Sequence, residues 1–122
     1  MIEINGRTAF LRLLATEGVE YLFGNPGTTE LAIMEALGRQ SEINYVLGLQ
    51  ESVVVAMADG YARASGRIGA CNVHVAPGLG NAMGALFNAK FAGSPVVITA
   101  GQQEQGHGLT EPLLYHPLVP MA

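Results

Sequence analysis

Four short apolar runs alternate with helical patterns along this chain, and that alternation constrains its fold more than any other feature. The runs span residues 19–23, 43–47, 68–75 and 96–99, and each reads as a buried strand. Before the first lies a helix over 6–17, with Asn5 as its cap, Phe10, Leu11 and Leu14 facing inward and Gly18 as its stop. Residues 24–27 form a turn. Thr28 then caps a second helix, with Glu30 in its first turn, Leu31, Met34 and Leu37 on one face and Gly38 closing it. A third helix runs from Glu51, with apolar positions at Val54, Met57, Ala58, Tyr61 and Ala62, to a left-handed cap at Gly66. A glycine-rich turn over 76–81 leads into a fourth helix that reaches about residue 92, where Gly93, Ser94 and Pro95 break it. Residues 100–112 read as a loop, and 113–122 as the start of a helix interrupted by Pro117 and Pro120.

Strand and helix alternating with short links imply an α/β fold: a parallel sheet with helices on both faces and right-handed crossovers. In such sheets ligands bind beyond the carboxyl ends of the strands. Those ends carry the stretches 24–28, 49–51, 74–78 and 101–103, so the polar residues collect at one rim.

The 122 residues suffice for one domain and not for two. Hydrophobic residues make up 49% and charged residues 13%, so the chain either buries most of its elements or leaves apolar surface for a partner. The net charge is -4 and the basic residues are scattered singly, which argues against nucleic acid as a partner. No apolar run approaches the roughly 20 residues that span a bilayer. Cys71 is the only cysteine, and residues 1–6 lack the pattern of a secretory leader. A soluble, cytoplasmic protein is the expectation.

Glu51 stands at the N-terminal end of its helix, yet steps of three and four from it meet Val54, Val55 and Ala58, the buried stripe. Burial raises the pKa of such a carboxyl and the helix N-terminus lowers it, so it can hold a proton near neutral pH and share it with a bound base. A first-turn acid that merely complements the helix dipole fits the same position. His74, near the end of the third strand, is either a structural donor or a proton relay. Cys71 reads as an inert core residue, and Asp59 with Arg63 as a pair one helical turn apart. The histidines and the cysteine lack metal-ligand spacing. Glycines 78, 80 and 84 suggest a dinucleotide fingerprint, but Met83 stands where its last glycine belongs.

Several separated motifs occur together: Phe23-Gly24-Asn25-Pro26-Gly27-Thr28-Thr29-Glu30-Leu31, Leu49-Gln50-Glu51, Ala58-Asp59-Gly60-Tyr61-Ala62, Asn72-Val73-His74, Gly78-Leu79-Gly80-Asn81-Ala82-Met83-Gly84 and the stretch 94–103. In that order they resemble the N-terminal, pyrimidine-binding domain of thiamine-diphosphate-dependent enzymes. The resemblance covers nearly the whole chain. His74 and Gly101-Gln102-Gln103 are most similar to the benzoylformate decarboxylases. It implies that Glu51 bonds the aminopyrimidine ring of thiamine diphosphate and that Asn25, Pro26, Gly27, Gly78 and Asn81 line the cofactor. It implies that His74 relays protons or binds substrate, and that Thr28 meets the carboxylate of a small 2-keto acid. Thr28 falls where benzoylformate decarboxylases have a serine, so its added methyl alters the substrate side of the site.

Family members are several times longer, and a further domain holds Mg2+ and the diphosphate through a Gly-Asp-Gly motif. Asp59-Gly60 does not supply that motif. The sequence therefore reads as residues 1–122 of a pyrimidine-binding domain that lacks its last strand and its diphosphate-binding domain, inactive by itself. The family implies a dimer through this domain, or a separate diphosphate-binding subunit as partner. Two further readings are an acetolactate synthase-like carboligase fragment and a non-catalytic dimerising module of the same fold.

Overall fold

The computed structural model describes residues 4–40 and 42–122. Its four strands are β1 (Tyr21–Gly24), β2 (Asn44–Leu47), β3 (Gly69–Val73) and β4 (Val96–Ala100). They form one parallel sheet in the order β2-β1-β3-β4. β1 lies centrally and pairs Phe23 with Val46 on one side and with Cys71 on the other. The chain leaves β1 toward β2, then crosses back past β1 to β3, so the sheet reverses direction between β1 and β3. Right-handed crossovers in opposite directions place the intervening helices on opposite faces.

Both faces are accordingly covered. Helices α1 (Gly6–Thr16) and α2 (Leu31–Leu37) pack Leu11, Leu14, Ala36 and Leu37 against Val19, Leu22, Ile43 and Ala70. Helices α3 (Glu51–Ser65) and α4 (Val75–Ala92) pack Val54, Val55, Ala58, Leu79 and Ala82 against Phe23, Cys71 and Val73. Within β1, Leu22 serves one core and its neighbour Phe23 the other, the period of two expected of a strand buried on both sides.

The terminal signals of α1 and α3 act as their sequence indicates. The Asn5 side chain accepts the Thr8 N–H at 3.0 Å. The Gln50 side chain accepts the N–H groups of Ser52 and Val53, and Gly66 closes α3 at φ 71°. Cys71 is 1% exposed in β3, and burial pushes its thiol up to about 12.

Four expectations need correction. Thr28 is not a cap: it begins a 3-10 turn, Thr28–Glu30, that precedes α2, with Gly27 as the capping position. Leu31 is 62% exposed, at the junction of that turn with α2, while Leu37 and Ala36 are buried and Ile33 and Met34 pack beside them. The stretch 76–81 is not a turn, since α4 begins at Val75. Pro77 suits a first helical turn, where its missing N–H would have no partner, and the glycines yield to packing between α3 and α4. Beyond β4, residues 100–112 contain a short helix, α5 (Gln105–Gly108), while 113–122 form only the 3-10 turn Val119–Met121. No helix among the described residues is long and apolar enough to cross a membrane.

Candidate functional site

The carboxyl ends of β1 and β3 flank the point where the sheet reverses, the usual place for a ligand in such folds. Asn25 follows β1, Glu51 opens α3 just beyond β2, and His74 joins β3 to α4. Two clusters form there.

The first is built around Glu51, which is 8% exposed. Asn25 Nδ2 donates to its Oε1 at 3.0 Å and Asn81 Nδ2 donates to its Oε2 at 2.9 Å. Gly78 lies against its stem: a Cβ at that position would stand 3.3 Å from Glu51 Cγ. The carboxylate is thus gripped by an amide from the β1 loop and another from α4, while its own helix N-terminus faces it. Burial is the largest single influence on its pKa and raises it. The Asn81 bond, its own backbone N–H, the Asn25 bond and the charge of His74 together outweigh burial and leave the pKa below the ordinary glutamate value. The expectation of a proton-holding carboxyl is reversed for the chain by itself. Helix amphipathicity correctly signalled the burial, but the two amide donors come from other segments.

The second cluster joins His74 to Glu30. His74 Nδ1 lies 2.8 Å from Glu30 Oε2 and 3.1 Å from Thr29 Oγ1. Thr29 Oγ1 donates to Glu30 Oε1 at 2.5 Å, and the Gly27 N–H donates to Oε2 at 2.8 Å. Glu30 is 1% exposed. A Cβ at Gly27 would fall 2.4 Å from the His74 ring, and one at Gly101 only 1.8 Å from Glu30 Oε1. The two glycines are required for space, not for backbone freedom. Tyr45 stands beneath this cluster: burial, then the charge of Glu30, pushes its phenol up to about 12, and its hydroxyl has no hydrogen-bond partner among the described residues.

The structure therefore gathers Asn25, Glu51, Gly78 and Asn81 in one cluster and Gly27 with His74 in the other. Pro26 belongs to the connecting loop, and Thr28 is exposed at the start of its 3-10 turn. Thr29, Glu30 and Gly101 were not singled out as site residues. Glu30 carried the same signal as any first-turn acid, and only tertiary closure by Gly101 distinguishes it. No group of three His, Cys, Asp or Glu side chains among the described residues could hold a metal ion. Two concavities, of about 350 and 1000 Å3, lie between α1 and α2 and at the amino ends of the strands, away from both clusters.

Comparison with known proteins gives a consistent result. Residues 4–113 match the family described as thiamine pyrophosphate enzyme, N-terminal TPP binding domain. The chain is 49% identical over 96 residues to a benzoylformate decarboxylase of Pseudomonas aeruginosa, covering 79% of this chain and 18% of that protein. It is 38% identical over 102 residues to the acetolactate synthase large subunit of Haemophilus influenzae, covering 84% of this chain and 18% of that protein. Among solved structures, the thiamine diphosphate-dependent 4-hydroxybenzoylformate decarboxylase of Rhodococcus jostii superposes with a TM-score of 0.87 at 39% identity. That superposition covers 94% of this chain and 21% of the other. The chain spans about a fifth of the length of these relatives.

Proposed function

We infer a function from one premise: the chain belongs to the thiamine pyrophosphate enzyme family, whose N-terminal TPP binding domain it matches over residues 4–113. The reading is that it forms the pyrimidine-binding wall of a thiamine diphosphate-dependent 2-keto acid decarboxylase of the benzoylformate decarboxylase type. The observation that carries it is the grip of Asn25 and Asn81 on the buried Glu51 carboxylate at the switch point of the sheet.

The residues present suit an aminopyrimidine ring. Glu51 offers a carboxylate that stays ionised without the ring, and so accepts a ring N–H. Gly78 leaves the stem of Glu51 uncrowded, and Asn25 and Asn81 fix the direction of its oxygens. The bound cofactor supplies an electron sink for loss of CO2 from a 2-keto acid. Glu51 holds the proton shared with the ring nitrogen. His74, whose side chain is 22% exposed beside the fully buried Glu30, takes and returns a proton on the substrate side. Thr28 would contact the substrate carboxylate. The diphosphate and Mg2+ would be held by residues outside this stretch, in the same protein or in a partner subunit, so the stretch alone would not turn over substrate.

A second copy is the proposed partner. Gly80, Gly84, Phe87 and Phe91 form one exposed stripe on α4, with Phe87 and Phe91 stacked at 66% and 86% exposure.

Conversion of benzoylformate to benzaldehyde by the full-length protein carrying this segment tests the reading. Formation of acetolactate from pyruvate instead would assign the carboligase branch, to which the Haemophilus relative's name belongs. Absence of turnover with bound cofactor would favour a non-catalytic module.

A further inference from the structure

The His74–Glu30 contact has a geometry that fixes where protons sit. Both oxygens of Glu30 already accept: Oε1 from the Thr29 hydroxyl at 2.5 Å and Oε2 from the Gly27 N–H at 2.8 Å. The single proton of Thr29 is thereby committed to Glu30, so Thr29 Oγ1 can only accept from His74 at 3.1 Å. Nδ1 faces two acceptors and no donor. A lone pair on Nδ1 would meet the oxygens of Glu30 and Thr29 head-on, so neutral His74 must carry its hydrogen on Nδ1 and its lone pair on Nε2.

The surroundings hold this arrangement rigidly. Glu30 is 1% exposed, and its charge is met by a backbone N–H, a hydroxyl and the imidazole. Gly27 presses on the ring, and Gly101, at the end of β4, closes over the carboxylate. The next residue, Val75, is fully buried and sits at φ 42°, a left-handed conformation that a branched side chain adopts only under constraint. That bend is where the chain leaves β3 for α4, directly after His74.

We propose that Glu30 is a positioning residue for His74: it fixes the Nδ1–H tautomer and the ring orientation, so that Nε2 is the atom offered to substrate. Thr29 assists as an acceptor. The role of Nε2 toward substrate rests on the decarboxylase reading above, whereas the tautomer does not.

Two-bond 15N–1H correlation spectra of the imidazoles, at a pH where His74 is neutral, test the proposal on the chain itself. The expected result is the Nδ1–H pattern for His74. In Glu30→Leu the acceptor facing Nδ1 is gone and the freed Thr29 hydroxyl can donate to Nδ1, so the Nε2–H form should rise at least several-fold. Thr29→Val should retain the Nδ1–H form. If Glu30→Leu does not fold, Gly101→Ala, which displaces the same carboxylate, takes its place. A predominant Nε2–H form in the parent, or an unchanged tautomer in the displaced variant, overturns the proposal. In the full-length protein, Glu30→Leu should lower kcat by about tenfold or more with KM within twofold. A rise in KM alone would also count against a positioning role. Failure of the decarboxylase reading would leave the spectra unchanged, so the two claims fail separately.

Discussion

Replacing Gly101 by alanine probes the coupling between fold and site directly. Its Cβ would lie 1.8 Å from Glu30 Oε1, 2.2 Å from Thr29 Oγ1 and 3.0 Å from Glu30 Cδ. Ordinary contact begins near 3.4 Å, so Oε1 must retreat by about 1.6 Å, the difference between 3.4 and 1.8 Å. Bonds of 2.5 and 2.8 Å do not survive such a shift, since hydrogen bonds end at roughly 3.2 Å. Losing at least one bond to a buried charge costs about 1.5–3 kcal/mol, and overpacking by a methyl costs about as much when neighbours cannot move. Part of this overlaps, so Gly101→Ala should destabilise the chain by about 2–3 kcal/mol. Gly60→Ala is the matched control. A Cβ there meets nothing within 4 Å, and the position lies inside α3, so it should stabilise by about 0.5–1 kcal/mol. Urea unfolding of both variants beside the parent gives the comparison, and opposite signs are expected. A Gly101→Ala chain within about 0.5 kcal/mol of the parent would refute the reasoning, because Glu30 would then be free to move aside.

Cys71 and Tyr45, both pushed up to about 12 by burial, stay neutral in the fold while the unfolded chain ionises them from about pH 9 and 10. Stability should therefore fall as pH rises from about 9 toward 12, by up to about 1.4 kcal/mol per pH unit for each group, and Cys71→Ala should flatten the first part of that slope in urea melts. Glu51 shows the opposite sign: its folded pKa is lowered, so its contribution is present above the ordinary glutamate range and disappears as pH falls through the folded pKa. The stability difference between the parent and Glu51→Gln should accordingly shrink between pH 7 and pH 3, read from urea midpoints. Sedimentation at tens of micromolar should show self-association that Phe91→Glu abolishes; a monomeric parent would contradict the proposed α4 interface.

Much of the architecture was legible because its signals are local. The four strands were found within a few residues, and Asn5 and Gly66 marked helix ends through their own chemistry. Glu51 was found because a carboxylate on a buried helical stripe is unusual. The misreadings share one cause, which is that distant segments decide the outcome. Pro77, Gly78 and Gly80 carry turn propensity, yet α4 begins at Val75 and its Gly78 lies flush against Glu51, a contact made by a distant segment. Glu30 looks like a surface capping acid until β4 brings Gly101 over it from 71 positions away. The charge of Glu51 depends on amides from Asn25 and Asn81, contributed by segments on either side of it in sequence. None of these long-range closures has a period or a spacing to read.

The central claim is that Glu51 serves the cofactor's pyrimidine ring rather than the helix dipole. Proton–deuterium exchange at the thiazolium carbon of thiamine diphosphate, measured in the full-length protein carrying this segment, tests it most directly. Glu51→Gln keeps the shape of the side chain but cannot exchange a proton with the ring nitrogen. The account predicts exchange slower by about a hundredfold or more, the scale of acid–base catalysis, with the cofactor still bound. Unchanged exchange with the cofactor still bound would contradict it.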